Sequence, residues 1–383
     1  MENPPNFEVV VGTYEEYLLG YTLSPTDKGI HFTQSFATHA HSSSIRTVAS
    51  AGRYLASGGA DDRVIIYDML TRKEHSMLNH HNATVNCIEF TVGNTHIISA
   101  STDGVMSIVR VGNWQLEKLW EKPHKGSTIL SISVHPTGKL ALTLGTDCTL
   151  RTWNLIKGRQ AYAINLSSKC TDARSLDFVK WGPCGEKFIL GGGTNIALWN
   201  ITSGGIMNKY QYKSKVICVC WMNEEVIAIG QEDGKITVLN IKTQEQETFE
   251  AHTMRVKCLQ SSDNWLVSAS SDGHIKLWIF DGESIEKVGD CSTGCRCTSL
   301  TLVSALKLKE ENEKKQKEKS TNNENTEQSG NEETMEEEMP KEILTIDKAT
   351  FKNDKGCKVI VEQEIGDVKN TSKKRKFTNE YKY

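Results

Sequence analysis

The sequence lacks the long apolar run that a membrane helix needs. No stretch of its 383 residues approaches the roughly 18 consecutive apolar side chains of a membrane span. The first residues, MENPPNFEVVVG, have neither the basic segment nor the apolar core of a secretory signal. Eleven cysteines are scattered along the chain, and without a signal this favours reduced thiols over a disulfide framework. We therefore expect an intracellular protein that does not contact a membrane.

The chain also has little excess of either charge. Its formal net charge is −3, with 38% hydrophobic and 24% charged residues. This composition indicates a soluble globular protein that can bury a substantial core, and no overall field points by itself to nucleic acid.

A metal-binding motif is missing as well. Histidines are dense only in THAH (38–41) and NHH (79–81), and no cysteine or acid nearby completes a site at a recognised spacing. Cys291, Cys295 and Cys297 form a tighter group, but no fourth ligand lies nearby. We expect small thiols at a blade edge there, no metal and no cofactor.

Signatures of catalysis are equally absent. The stretch GGGT (191–194) follows one strand-like segment and runs into another, with no helix N-terminus and no P-loop lysine. A turn between two strands explains it better than a phosphate cradle does. Serine, histidine and aspartate are plentiful, but no nucleophile motif accompanies them. The sequence therefore predicts a protein that is not an enzyme.

What the sequence does contain is a repeated phrase, seen in LGTDCTLRTWN (144–154) and ASSDGHIKLWI (269–279). In these two copies an aspartate is followed six residues later by a tryptophan. Further copies with other residues in the tryptophan position extend the series to Asp61, Asp103, Asp147, Asp233 and Asp272. One member is missing near LGGGTNIALWN (190–200), where Trp199 remains without its aspartate.

A histidine precedes four of these aspartates by 20 to 23 residues: His41, His81, His124 and His252. Apolar runs and turns such as HPTGK (135–139) and GPCGEK (182–187) lie within the units. Each unit therefore predicts several short strands, and a period of about 40–45 residues is typical of a four-stranded propeller blade.

The order histidine, serine or threonine, aspartate, tryptophan resembles the WD40-repeat signature. Two sets are complete: His124, Thr143, Asp147 and Trp153, and His252, Ser268, Asp272 and Trp278. The resemblance implies a buried hydrogen-bond network that links the outer loop of a blade to its inner strands. Such a network is physically reasonable because a buried carboxylate and a buried indole N–H both need partners. With Tyr67 and Val109 in the tryptophan position, blades 1 and 2 are expected to keep only part of it.

Six blades fill residues 39–280, which leaves segments at both flanks. The segment 7–23 predicts two strands, 30–41 a third, and 295–303 a single inner strand. Together they predict a closing blade made of residues 7–38 and 295–303, which leaves no wide-open sheet edge. The expected fold is thus an all-β, seven-bladed WD40 β-propeller over residues 1–303.

From residue 304 to 383 the composition becomes charged and poor in aromatic residues. Such a segment cannot bury enough apolar area to offset its ordering entropy, so we expect a disordered tail. Within it, residues 342–368 are mildly apolar and form either a docking segment or a chance apolar stretch. The run KKRK, which consists of Lys373, Lys374, Arg375 and Lys376, suits an import receptor and predicts nuclear localisation. A solubilising or RNA-contacting tail is the alternative.

Basic residues occur near the start of several blades, namely Arg46, Lys125, Lys215 and Arg255. If they meet at one mouth of the ring, they form a positive patch that could bind phosphate or an acidic peptide. The alternative is ordinary solvated side chains on loops.

A closer resemblance rests on four stretches: HPTGKLALTLGTDCTLRTWNLIKGR (135–159), SASSDGHIKLW (268–278), AHTMRVK (251–257) and VVGTYEEYLLGY (10–21). They resemble the p21-activated protein kinase-interacting protein 1 group. This implies a nucleolar scaffold in large (60S) ribosomal subunit assembly and pre-rRNA processing, a monomer that binds pre-60S assembly factors or rRNA. It also implies binding to the regulatory region of p21-activated kinases, which restrains kinase activation. The sequence departs from the group at Val109 and Arg110 and in its more acidic tail.

Two other functions are alternatives for a WD40 propeller. One is a cytoplasmic regulator that binds a protein kinase, which is compatible with the first. The other is a substrate receptor of a cullin-type ubiquitin ligase, which usually shows Trp-Asp-x-Arg at the end of a blade. The corresponding phrases here, WNLI, WNIT, WIFD and YDML, lack the arginine.

Overall fold

The computed structural model describes residues 5–27, 29–170, 172–282 and 284–305. In this part of the chain, twenty-eight strands form seven four-stranded antiparallel sheets. The expected all-β, seven-bladed propeller is therefore confirmed. The predictions for the tail beyond Ala305, including the apolar segment 342–368 and the basic run 373–376, lie outside the described residues.

The strands follow one another along the chain in a repeating order. Three strands come first: β1 (Phe7–Thr13), β2 (Leu18–Thr26) and β3 (Gly29–Thr38). Blade 1 contains β4 (Ile45–Ala51), β5 (Tyr54–Gly59), β6 (Val64–Asp68) and β7 (Lys73–Leu78). Blade 2 contains β8 (Val85–Phe90), β9 (His96–Ser101), β10 (Met106–Arg110) and β11 (Leu116–Trp120). Blade 3 contains β12 (Ile129–Val134), β13 (Leu140–Gly145), β14 (Thr149–Asn154) and β15 (Arg159–Asn165).

The second half of the ring continues in the same way. Blade 4 contains β16 (Phe178–Trp181), β17 (Lys187–Gly192), β18 (Asn195–Asn200) and β19 (Gly205–Gln211). Blade 5 contains β20 (Val216–Trp221), β21 (Val226–Gln231), β22 (Lys235–Asn240) and β23 (Gln246–Glu250). Blade 6 contains β24 (Val256–Ser262), β25 (Trp265–Ser270), β26 (His274–Phe280) and β27 (Ile285–Ser292). The last strand is β28 (Cys297–Ser304).

The closing blade joins the two ends of the described chain. Its strand order is β28-β1-β2-β3, and β28 pairs antiparallel with β1 from Phe7 opposite Ser304 to Thr13 opposite Cys297. The last described strand therefore serves as the inner strand of the blade that begins with the first. A closed ring of this kind leaves no gap between its first and last blades.

Burial falls from the inside of each blade to its outside. In blade 3, β13 (LALTLG) is buried at every residue after Leu140, whereas β15 (RQAYAIN) is almost entirely exposed. The buried side chains form clusters between neighbouring blades, as where Val9 and Val11 of the closing blade meet Val267 of blade 6. Removing a large aliphatic side chain from water contributes about 1.5–3 kcal/mol, so the contacts between blades hold the ring together.

Blade 4 is entered by an unusual connection. Two 3-10 helices, Leu166–Ser168 and Ala173–Ser175, lie between β15 and β16, and the Asn165 side chain accepts a hydrogen bond from the backbone N–H of Ser167. Leu166 and Leu176 of this connection are buried in the cluster shared by blades 3 and 4. Apolar side chains thus anchor this connection to the core between blades 3 and 4.

Candidate functional site

The complete signature of blade 3 forms one buried network. His124 Nε2 lies 2.7 Å from Thr143 Oγ1, and the Trp153 indole N–H donates to the same oxygen over 2.8 Å. The threonine proton is therefore directed at Nε2, which leaves Nδ1 to carry the imidazole proton. His124 Nδ1 donates to Asp147 Oδ1 over 2.9 Å. The four side chains are brought together as a chain of hydrogen bonds that joins a loop to two strands.

Electrostatics keep this network in one protonation state. Burial lowers the pKa of His124, against the raising effect of its hydrogen bond to Asp147. Burial acts to raise the pKa of Asp147, but hydrogen bonds from Thr149 and His124 outweigh it and leave the pKa below its usual value. A second carboxylate oxygen of Asp147 accepts from Arg151 over 3.2 Å. At neutral pH the pair is thus a neutral imidazole and a carboxylate.

In blade 6 the same four residue types form a network without the hydrogen bond between histidine and aspartate. His252 Nε2 lies 2.7 Å from Ser268 Oγ, which accepts the Trp278 indole N–H over 2.8 Å. His252 Nδ1, however, is 4.0 Å from Asp272 Oδ1, too far for a hydrogen bond. Asp272 is held instead by the Thr253 hydroxyl at 2.8 Å.

The neighbourhood of His252 explains its state. Burial, and then the positive charge of Lys276, lower the pKa of His252 to about 4. The Lys276 ammonium donates to the backbone carbonyl of Ala251 over 2.6 Å and so is fixed beside the histidine loop. The imidazole is therefore neutral at neutral pH, and sequence reasoning did not anticipate the contribution of Lys276.

Blades 1 and 2 keep part of the network. In blade 1, His41 lies 2.6 Å from Ser57 Oγ and 2.9 Å from Asp61 Oδ1, with Tyr67 buried in the tryptophan position. In blade 2, His81 Nε2 lies 2.8 Å from Ser99 Oγ, whose second partner is Ser107 Oγ at 2.7 Å.

The serine pair of blade 2 was missed by sequence reasoning. Val109 stands in the tryptophan position and offers no N–H, and Ser107 supplies the second hydrogen bond to Ser99 in its place. Ser99 and Ser107 are directly opposite in the pairing of β9 with β10. The sequence signal for this pair is a serine on β9 and a serine on β10 at equal distances from the turn that joins the two strands.

Blade 4 lacks the network altogether. In blade 6, Trp278 pairs with Leu266, and the hydroxyl of the network belongs to Ser268, two residues after Leu266. In blade 4, Trp199 pairs with Phe188, and the residue two positions after Phe188 is Leu190. A leucine therefore takes the hydroxyl position. Within the described residues the Trp199 indole N–H has no hydrogen-bond partner, and its ring stacks on Phe188 at 5.7 Å. Packing replaces hydrogen bonding there.

The four predicted basic contact residues lie on one face of the ring. Lys125, Lys215 and Arg255 belong to the segments that lead into the inner strands β12, β20 and β24, and Arg46 is the second residue of the inner strand β4. Because every blade repeats the same strand order, these segments emerge on the same face. Lys215 is already engaged there, since its ammonium lies 3.2 Å from Asp177 Oδ2.

A central channel runs between the inner strands. It encloses about 230 Å³, and its wall includes Lys180, Lys257 and Asp177. Next to it, Glu89 Oε2 accepts the backbone N–H of Val134 over 2.8 Å. Burial raises the pKa of Glu89 to about 6, although Lys180 and that N–H oppose the change. Sequence reasoning missed these residues because only the closed ring brings them to one place.

No group of three or more histidine, cysteine or acidic side chains in the described part of the chain is arranged to hold a metal ion. The Cys291, Cys295 and Cys297 thiols are all free, and so are the other cysteines there. Across the same residues, no helix is long and apolar enough to cross a membrane.

The WD40 family, described as WD domain, G-beta repeat, matches residues 32–68, 72–109, 116–154 and 243–278. These matches end in blades 1, 2, 3 and 6, the blades that retain a histidine network. No match ends in blade 4 or blade 5, where Leu190 and Ile229 stand opposite the inner strand in the hydroxyl position; of these two blades only β23 lies within a match. The family signature therefore follows the hydrogen-bond network.

Individual proteins are similar over most of their length. A "p21-activated protein kinase-interacting protein 1-like" protein of Danio rerio is 34% identical over 317 residues, which cover 81% of this chain and 84% of the relative. "Shk1 kinase-binding protein 15" of Schizosaccharomyces pombe is 29% identical over 70% of this chain and 76% of its own. "Protein MAK11" of Saccharomyces cerevisiae is 26% identical over 77% and 83%.

Proposed function

Since the chain belongs to the WD40-repeat family of p21-activated protein kinase-interacting protein 1, we propose that it is a non-enzymatic scaffold in nucleolar assembly of the large (60S) ribosomal subunit and in pre-rRNA processing. The coarser part of this statement, a WD40 scaffold for interactions between macromolecules, follows from the family. The ribosomal role extends it by the resemblance that the sequence carries.

One observation carries the proposal. The side chains that could do chemistry are used inside the blades: His124 is bonded to Thr143 and Asp147, His41 to Ser57 and Asp61, and His81 to Ser99. What the ring offers to other molecules is a rigid surface of loops. A rigid surface binds without ordering costs of its own, which suits a scaffold.

The partners would be pre-60S assembly factors, rRNA or both, with this chain as a monomer in a larger complex. The basic side chains Arg46, Lys125, Lys215 and Arg255 would contact an acidic surface from one face of the ring. Each belongs to a different blade, so several can meet one partner. Contacts to phosphate release counterions and therefore weaken with salt.

The basic run Lys373, Lys374, Arg375 and Lys376 would bind an import receptor and place the protein in the nucleus and the nucleolus. Four consecutive cations on a polar tail suit the acidic groove of such a receptor.

Sedimentation of cell extracts on sucrose gradients tests the proposal. We expect the protein to co-sediment with pre-60S particles, and the double charge reversal Lys125→Glu with Arg255→Glu to release it without lowering its thermal stability. The matched control reverses Lys139 and Lys157, two exposed lysines in turns on the opposite face, and should leave co-sedimentation intact. If the wild-type protein remains at the top of the gradient at low salt, the ribosomal role is wrong.

A second function is favoured by the names of two relatives, which describe them as kinase-interacting and kinase-binding. In this role the chain would bind the regulatory region of a p21-activated kinase and act as a negative regulator of that kinase, including in the cytoplasm. A pull-down of the purified chain with that region tests it. Absence of binding at micromolar concentrations would exclude this function without affecting the first.

A further inference from the structure

Inner strands of the ring contain a β-bulge, at which one side chain departs from the alternating orientation of the strand. The register between the inner strand and its neighbour shifts between Val85 and Cys87 in blade 2 and between Val256 and Cys258 in blade 6. The residues passed over, Asn86 and Lys257, both line the channel. A β-bulge of this kind re-aims a side chain, and here it points Lys257 into the ring.

A second lysine reaches the channel from a regular strand position. Lys180 pairs with Ile189 in blade 4, and Gln260 pairs with Val267 in blade 6. Ile189 and Val267 each directly precede the residue in the hydroxyl position of their blade. The two side chains therefore occupy the same layer of the ring, and both line the channel. Lysine and carboxamide side chains are hydrogen-bond donors, so this layer offers donors to whatever the channel contains.

The two lysines form no close ion pair with the described part of the protein. Among the described residues, neither Lys180 nor Lys257 has an ion pair or a hydrogen bond to a protein group. Of the carboxylates nearby, Asp177 pairs with Lys215 at 3.2 Å. One carboxylate oxygen of Glu89 accepts a hydrogen bond from the Val134 N–H, and Glu89 forms no ion pair among the described residues. The channel thus holds two half-buried cations that no described residue engages in a direct contact, although the Glu89 carboxylate lies close enough to Lys180 for the ammonium to lower the Glu89 pKa.

We propose that the central channel binds a compact oxyanion, held by the ammonium groups of Lys180 and Lys257. A half-buried charge is stable when it is paired, and ammonium-to-oxyanion hydrogen bonds are among the strong ones. The cavity of about 230 Å³ accommodates a phosphate-sized ion with a few waters, since a water occupies about 30 Å³ in the liquid. The inference goes beyond the scaffold role and does not depend on it.

The oxyanion can come from two sources with the same chemistry: a free tetrahedral ion such as phosphate, or the carboxylate of an acidic side chain that a partner inserts. The two sources can be distinguished by the anions that compete for the site. A tetrahedral ion is displaced by sulfate and little by acetate, whereas a carboxylate site takes acetate as well as it takes sulfate.

The test is thermal unfolding of the full chain in rising sodium sulfate at constant ionic strength, with acetate in a parallel series. A bound anion raises Tm along a saturating curve, whereas sulfate excluded from the protein surface stabilises without saturation. We expect a saturating rise in the wild-type protein. Lys180→Gln and Lys257→Gln should each weaken sulfate binding about tenfold, the value of one charge-assisted hydrogen bond, and Lys139→Gln should leave it unchanged.

Glu89→Gln provides a second variant that does not remove a ligand. It keeps the oxygen that accepts the Val134 N–H and removes the negative charge beside Lys180, so sulfate should bind more tightly. A wild-type curve without saturation, or a saturating curve that is identical in the Lys180→Gln and Lys257→Gln variants, overturns the proposal. Because the readout needs no ribosomal particle or kinase, it is independent of the scaffold role.

Discussion

Replacing Asp147 by alanine should destabilise the propeller more than replacing Asp272. The Asp147 carboxylate accepts from His124 at 2.9 Å, from the Thr149 hydroxyl at 2.7 Å and from Arg151 at 3.2 Å. Its removal leaves the buried His124 Nδ1–H with only the Thr149 hydroxyl, 3.2 Å away, and takes away the charged partner of Arg151, of which only 8% is exposed. An unsatisfied buried donor costs about 1–3 kcal/mol, and more if it is charged, so the loss should be about 3 kcal/mol.

Asp272→Ala should cost only about 1 kcal/mol, the value of an ordinary hydrogen bond. Its carboxylate does not reach His252, from which it is 4.0 Å away, and its bond to Thr253 lies at the exposed surface. The two sequence signatures are alike, so the expected difference comes entirely from this geometry.

Urea denaturation of the full chain, followed by tryptophan fluorescence, measures both losses, with Asp147→Asn as the control that keeps a hydrogen-bond acceptor. The m-value should stay constant, because a change would mean that the unfolding transition itself has altered. Equal losses for the two alanine variants, or a larger loss at Asp272, would refute the reasoning that the His–Asp bond stabilises a blade.

Three further outcomes are expected. Trp153→Phe should destabilise the chain by about 1 kcal/mol more than Trp199→Phe, because only the Trp153 indole donates to a hydroxyl; equal urea midpoints would contradict this. The free energy of unfolding should fall as the pH drops from 6.5 towards 4, because the pKa of His252 is about 4 in the folded chain and the unfolded chain binds the proton first; His252→Gln should flatten this part of the curve, and an unchanged slope would rule out the histidine. Changing Lys373, Lys374, Arg375 and Lys376 together to alanine should reduce nuclear accumulation of a tagged protein without lowering its Tm; an unchanged nuclear signal would show that another segment directs import.

The fold could be predicted because its signature is local and repeated. His124 and Asp147 are 23 residues apart, so one blade contains the whole pattern, and its period counts the blades even where a member is lost. The strands themselves follow from short apolar runs between turns. Blade 4 was harder to find because Leu190 takes the hydroxyl position and no histidine occurs in the sequence from residue 155 to residue 178.

The finer structure of the site could not be predicted, since it depends on distances that spacing does not fix. The sequence treats His124 and His252 alike, yet one meets its aspartate at 2.9 Å and the other lies 4.0 Å from it. The channel lysines were missed for a different reason. Lys180 and Lys257 are 77 residues apart in the sequence, and only a closed ring with a bulge at Lys257 places both on one wall.

The pairing of β28 with β1 cannot form until nearly the whole propeller has been synthesised. β1 is made nearly three hundred residues before its partner strand, which runs from Cys297 to Ser304. At about 5–20 residues per second this delay is roughly 15–60 s. Throughout that interval the nascent chain exposes an apolar strand edge, which is a site for pairing with another chain. Completion of β28 is thus the event that covers this strand edge.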